Sequence, residues 1–417
     1  MNNKSNGSLV LSTDQETAYH KIISFILDDA EQAFILKGYS GTGKSRLVEY
    51  LLSQLDNVMK TAQLLNPDTR KYSLQLTATT NKAAENLMEI TNHEVRTIHS
   101  ALGLMVQRFE GSKTKLVARN SSFKLKNTLL IIDEASYIDS NLATLIFRHT
   151  ENCKILLIGD PAQLTNMGTD APIFRAPFPS VQLSQVMRQA EGNPIIELAT
   201  QFRNTVYTGR FFSFKPDGQI IRHLSREDWN HSIEQEFNRP DWHYKESKIL
   251  TWRNKTTIEY NNWINGFRTG NSEIQVGDYV TCNNYIQLSA GSIKTDQMVR
   301  VTSKIEDREL GLDGYIYGLD NRYYAFMPTN YMEKKKLLKH FYKHNDDHSA
   351  RIIEDIWIDL RPVYAQTINK SQGSTYGKVF IDLDDVMACP GGNLLARLLY
   401  VGVSRAKYAV DMVGDLV

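Results

Sequence analysis

The segment GYSGTGKS, Gly38–Ser45, decides the fold. It carries the P-loop spacing Gly-x-x-x-x-Gly-Lys-Ser, which works only between a buried strand and the start of a helix. The chain supplies both neighbours. Ala33 to Lys37 (AFILK) is a short apolar run, and in SRLVEYLLSQL the residues Leu47, Val48, Leu51, Leu52 and Leu55 recur at helical spacing. In that context Gly38, Gly41, Thr42 and Gly43 turn backbone amides inward around a phosphate, and the helix N-terminus adds a favourable dipole. Lys44 reaches the β and γ phosphates, Ser45 can ligate magnesium, and Arg46 follows as a further nucleotide contact. ATP and Mg2+ are the expected ligands.

Outward from the loop, the first half alternates apolar strands with amphipathic helices, the pattern of a parallel sheet covered on both faces. Expected strands run from Ala33 to Lys37, Leu74 to Thr79, Thr128 to Ile132 and Lys154 to Ile158. TLLIIDEAS places Asp133 and Glu134 at the carboxyl end of a strand, where open α/β sheets bind ligands. Alone, such a pair reads as a helix cap. After a P-loop, Asp133 reads as a magnesium ligand and Glu134 as the base that orients and deprotonates water.

A second strand series starts at KILTWRN (Lys248 to Asn254) and resumes at VFIDLDD (Val379 to Asp385). Between them, Ser272 to Leu360 is rich in Tyr and in short alternating segments, which predicts a small all-β insertion. Tyr315, Tyr317, Tyr323 and Tyr324 read there either as base-stacking platforms or as the core of a small barrel. The run Lys334 to Lys336 reads as a solvated helix face or as a phosphate contact. A shorter insertion, MVQRFEGSKTKLVA (Met105 to Ala118), has two strand-like arms around EGSK and predicts a projecting β-hairpin.

Composition sets the outer limits. At 417 residues, 41% hydrophobic and 23% charged, the chain is expected to be soluble and globular with several domains. A net charge of +1 leaves a nucleic-acid partner open, because lysines and arginines can gather in one groove of a neutral protein. Cys153, Cys282 and Cys389 are widely separated, which argues against a disulfide framework or a cysteine-rich metal site and for a reducing cytoplasm. MNNKSNGSLV lacks an apolar signal core, and no run of about 18 apolar residues occurs, so neither export nor a membrane partner is expected.

The order of motifs resembles that of superfamily 1 helicases, most closely the group B branch with phage Dda and RecD-type enzymes. The resemblance begins at LSTDQETAYHKI, where Gln15 matches an adenine-reading glutamine. LTATTNKAA and TIHSALGL are similar to segments that hold the backbone of the tracking strand, so Thr80, Asn81 and Thr97 become DNA contacts; the alternatives are a helix cap and a turn. In LLIGDPAQLTNMG, Gln163 matches the sensor of the γ-phosphate. LSQVMRQ and LLYVGVSRAKY bring Arg188 and Arg405, matching two arginines that reach ATP from the second lobe. YAQTINKSQGST resembles the motif touching DNA and nucleotide, with Thr367 and Asn369 toward DNA and Gly373 toward nucleotide; Asn254 is a further DNA contact. Asn369 departs from the family, which has His there; Asn can hydrogen-bond a phosphate or a base but carries no charge.

The resemblance implies two RecA-like α/β lobes with parallel sheets. Residues 1–96 and 127–185 would form lobe 1A, 97–126 a pin 1B, 186–271 and 361–417 lobe 2A, and 272–360 a small β-barrel-like insertion 2B. It further implies an ATP-dependent, monomeric motor moving 5′ to 3′ on single-stranded DNA, acting at single-strand/duplex junctions and beside single-strand-binding or replication proteins. Phe109 and Leu116 would form the wedge of the pin, unless they merely pack the hairpin against its lobe. A DNA-stimulated ATPase that remodels nucleoprotein without processive unwinding is the alternative function. A kinase would lack the paired arginines, and a non-catalytic single-strand-binding protein would have lost Lys44 or Glu134.

Overall fold

A computed structural model of the chain describes residues 10–109, 113–165, 171–185, 192–270 and 273–415, without the side chains of 106–109, 113 and 114. Two compact units emerge, one of residues 1–213 with 391–404, the other of 214–390 with 405–417. Both are α/β, as expected.

Six parallel strands form the sheet of the first unit, in the spatial order Ser180–Leu183, Ala33–Gly38, Lys154–Gly159, Thr128–Asp133, Ser73–Ala78, Val95–Thr97. The middle strands TLLIID and KILLIG are nearly unbroken apolar runs because both their faces are covered. One face packs Ala18, Ile22 and Phe25 of helix Thr13–Leu27, and Leu47, Val48 and Leu51 of helix Lys44–Leu65. The other packs Leu142, Leu145 and Ile146 of helix Ser140–Arg148. The expected hairpin is present, with Leu104–Phe109 antiparallel to Lys113–Ala118 and Phe109 opposite Lys113. Its turn, residues 110–112, lies outside the described residues.

The second unit has five parallel strands, ordered Ile221–Leu224, Ala406–Val413, Tyr376–Asp382, Ser247–Thr251, Ala365–Thr367. Trp229, Phe237, Ile249 and Phe380 fill its core. The division of the chain differs from the one expected at residue 186: helices Pro194–Thr208 and Gly392–Ser404 both cluster with the first unit, because they pack on each other and on loops of that unit.

The insertion is not all-β. Strands Tyr323–Pro328, Leu312–Leu319, Met298–Glu309, Tyr279–Cys282 and Leu360–Pro362 make an antiparallel sheet, but helices Tyr331–Lys343 and Asp347–Arg351 follow the last long hairpin. Their apolar residues are three and four apart, a helical stripe hidden by the many tyrosines upstream. Of those tyrosines, Tyr317 and Tyr323 are core, Tyr315 packs beside them, and only Tyr324 is exposed.

Trp357 fastens the helices to the sheet. It is fully buried, lies 4.9 Å from the Phe326 ring and donates from Nε1 to Glu309 Oε2 at 2.7 Å. Trp357→Ala is expected to cost about 3 to 5 kcal/mol, read as an earlier unfolding transition in a denaturant melt; a wild-type midpoint would show the helices to be held by other contacts.

Candidate nucleotide and DNA site

The phosphate-loop, acidic-pair, Gln163, Thr80 and Thr97 motifs of the first unit all stand at the carboxyl edge of its parallel sheet, which is where such sheets bind ligands. The P-loop follows strand Ala33–Gly38, Asp133 ends strand Thr128–Asp133, Gln163 lies four residues past strand Lys154–Gly159, Thr80 two past Ser73–Ala78, and Thr97 ends Val95–Thr97. Gly41 and Gly43 have φ of 81° and 80°, so the loop curls in a way side chains resist. A Cβ on Gly38 would fall 2.7 Å from Thr42 Oγ1 and 3.0 Å from Lys44 Cγ, so the tight winding needs glycine there. Gly43 opens helix Lys44–Leu65 without a side-chain cap, which leaves the first-turn amides of a 22-residue helix to a ligand. Lys44 Nζ donates to the carbonyls of Gly38 at 2.7 Å and Tyr39 at 3.0 Å, poised above the loop.

Gln15 is almost wholly buried behind this loop. Its Nε2 donates to the carbonyls of Thr42 and Gly43, both at 3.3 Å, while its Oε1 accepts from Ser12 N at 3.0 Å. The side chain expected to read a base thus also braces the phosphate loop.

Asp133 Oδ1 accepts from Glu134 N at 2.8 Å, and Glu134 takes a left-handed φ of 53° that turns it off the strand. Burial raises the Asp133 pKa, against the Glu134 amide and the nearby Lys44 charge. A carboxylate so desolvated suits a hard oxygen-seeking cation, and Ser45, in the first turn after the loop, would offer a second oxygen. Two protein oxygens are a usual complement for magnesium held largely by phosphates and water.

Thr80 Oγ1 accepts from Ala83 N at 3.1 Å and Thr97 Oγ1 from Ser100 N at 3.2 Å, so both hydroxyls cap helices and keep their protons to donate. Their strands are adjacent, with Ala78 opposite Thr97. The second unit repeats the pattern: Thr251 pairs with Thr367, Asn254 begins the helix after one strand, and Asn369 lies in the short helix after the other. Arg405, nearly buried, donates to Ser374 O at 3.3 Å, next to Gly373 at φ 76°. Leu116 packs against the core of the first unit, the supporting role weighed for it above. Phe109 belongs to a strand whose side chain is not described, and Arg188 lies outside the described residues.

Four residues escaped the motif reading. Asp160, with no exposed surface, accepts from Ala162 N at 2.9 Å and from the Tyr400 hydroxyl at 2.5 Å; the same hydroxyl accepts from Ser40 N at 2.9 Å. Arg397, 1% exposed, donates to the carbonyls of Pro161 at 2.8 Å and Gln163 at 2.7 Å. Helix Gly392–Ser404 therefore ties the P-loop to the loop carrying Gln163, within one unit. Asp385 in the second unit does similar work: burial alone would raise its pKa, but Thr256, Arg253 and the amides of Arg253 and Trp252 hold it below the usual range. It fixes the turn into Asn254.

A half-buried, lysine-tipped phosphate loop and an acidic strand end on a parallel sheet define a P-loop ATPase. Family comparison makes this specific. The model for an AAA domain matches residues 10–222, and that for a UvrD-like helicase C-terminal domain matches 362–413. The chain belongs to the AAA-domain family, and the pairing of that domain with a UvrD-like helicase C-terminal domain supports a superfamily 1 group B helicase. It is similar to the ATP-dependent RecD2 DNA helicase of Deinococcus radiodurans, 30% identical over 40% of this chain and 21% of that protein. It is also similar to the ATP-dependent DNA helicase dda of Enterobacteria phage T4, 26% identical over 46% and 43%. These matches span less than half of either relative. A crystal structure of Pif1 helicase from Bacteroides with ADP-AlF3 and ssDNA shares the fold, at a TM-score of 0.52 and 18% identity over 96% of this chain and 92% of that one.

Tyr400→Phe keeps the ring and removes the hydroxyl that joins Ser40 to Asp160. ATP turnover is expected to fall roughly tenfold, about 1.4 kcal/mol, with a lowered melting temperature, because the buried Asp160 carboxylate loses a donor. Combining it with Asp160→Asn should add little further loss; losses that multiply would mean the two side chains act separately.

Proposed function

We propose that the chain moves 5′ to 3′ along single-stranded DNA and opens duplex ahead of it, using one ATP site built on the P-loop. The observation that carries this reading is the cluster at the first sheet's carboxyl edge: Lys44 over the loop carbonyls, the desolvated Asp133 beside it, and Glu134 turned off the strand end. Lys44 and the first-turn amides hold the β and γ phosphates, and Gln15 keeps their loop in shape. Glu134 orients a water and takes its proton as the γ-phosphoryl leaves. Gln163 senses the γ-phosphate, while Arg405 and Arg188 bring positive charge to the transition state. Ser45 and Asp133 would hold magnesium, which when bound neutralises charge between the β and γ phosphates.

Thr80, Asn81, Thr97, Asn254, Thr367 and Asn369 contact the backbone of the strand, so stepping is indifferent to sequence. The polarity is taken from the resemblance to group B helicases and not from residue chemistry, because which unit grips when ATP is bound sets direction. The hairpin Met105 to Ala118 parts the strands with Phe109, while Leu116 anchors it to the unit.

Lys44→Ala is expected to abolish ATP hydrolysis without changing the melting temperature, and Glu134→Gln to bind ATP normally yet turn over at least a hundredfold more slowly. The accompanying unwinding assay uses 5′-tailed and 3′-tailed duplexes. Opening of the 3′-tailed substrate alone would reverse the polarity, and wild-type turnover by Lys44→Ala would remove the site.

A further inference from the structure

The insertion carries a charged surface for which the ATP site has no use. Helix Tyr331–Lys343, YMEKKKLLKHFYK, holds five lysines and one glutamate in a chain whose whole net charge is +1. Asn330 caps it, accepting from Met332 N at 2.9 Å and Glu333 N at 3.2 Å. Leu337, Leu338 and Phe341 turn inward to Phe326, Ile353 and Trp357, and the half-buried Lys334 shares that side, its pKa lowered by burial.

Lys335, Lys336, Lys339 and Lys343 fall on the opposite face and are exposed. Among the described residues none of the four makes a salt bridge with a carboxylate. The helix is held in place by Tyr342, whose hydroxyl donates to Glu354 Oε2 at 2.7 Å, and by the Trp357 packing. Lys335 to Lys343 spans about 12 Å of helix, a length over which a DNA duplex presents about seven phosphates.

We propose that this lysine face is a second, sequence-independent DNA site, which grips the phosphate backbone of the duplex arm of the substrate. The inference rests on the reading of the chain as a DNA helicase. Charge complementarity favours duplex DNA, the densest polyanion such a motor meets. A membrane surface does not fit, because the apolar side such a helix would insert is already consumed by packing on Phe326 and Trp357.

The test replaces Lys335, Lys336, Lys339 and Lys343 together by Gln, and in a second variant by Arg, in the full chain. Binding to a blunt duplex is followed by anisotropy across a salt series. The Gln variant is expected to flatten the slope of log affinity against log salt by about 3 to 4 and to weaken low-salt binding on the order of a hundredfold. The Arg variant should retain the wild-type slope. ATPase stimulation by a single-stranded oligonucleotide should remain at wild-type level in both variants. If the wild type shows no such stimulation, the helicase reading fails. If it does and the Gln variant keeps the wild-type duplex slope, the docking site is overturned and the face is left to an acidic protein.

Discussion

The carboxylate of Asp160 sits with no surface exposed, and a buried charge of that kind persists only when donors surround it. One donor is local, the Ala162 amide; the other, the Tyr400 hydroxyl, comes from a helix 240 positions further along and itself receives the Ser40 amide. Through that one hydroxyl the shape of the phosphate loop depends on the loop carrying Gln163. Arg397 strengthens the bond by filling two carbonyls of the same loop. A phosphate-induced shift of either loop must reorganise charged, buried hydrogen bonds, which favours discrete states over gradual deformation.

Chemistry at the edges of the sheets follows from the parallel topology. Strand ends gather loops from distant parts of the chain at one rim, so Thr80 and Thr97 become neighbours through adjacent strands, and Asn254 and Thr367 do so in the second unit. The threonines of the first unit also serve their own fold, since they cap helices, and Asp385 stiffens the turn before Asn254. Substitutions at this rim therefore mix local stability with function.

Much of this was legible in the sequence because the signals are local. A P-loop between an apolar strand and an amphipathic helix, an Asp-Glu pair ending a strand, and a hairpin around EGSK each declare themselves within about ten residues, and each is found where expected. What stayed hidden is set by distance in the chain. Arg397 and Tyr400 look like two more residues of an apolar helix until Pro161 and Asp160 are brought beside them. Gln15 is singled out by resemblance alone, and nothing in its own helix announces that it lies behind the P-loop. The helical end of the insertion was obscured by a different cause, a tyrosine-rich β texture upstream that lent its character to the whole segment.

Helix Gly392–Ser404 belongs to the first unit although almost two hundred residues of the second precede it, and the chain leaves that unit again at Arg405. On the ribosome this imposes an order of events. The phosphate-binding unit cannot complete its core, or satisfy Asp160, until residues 214–390 and the helix after them have emerged, so residues 1–213 must wait unfinished while the second unit is made. Competence to bind nucleotide is thereby deferred until the second unit has been made.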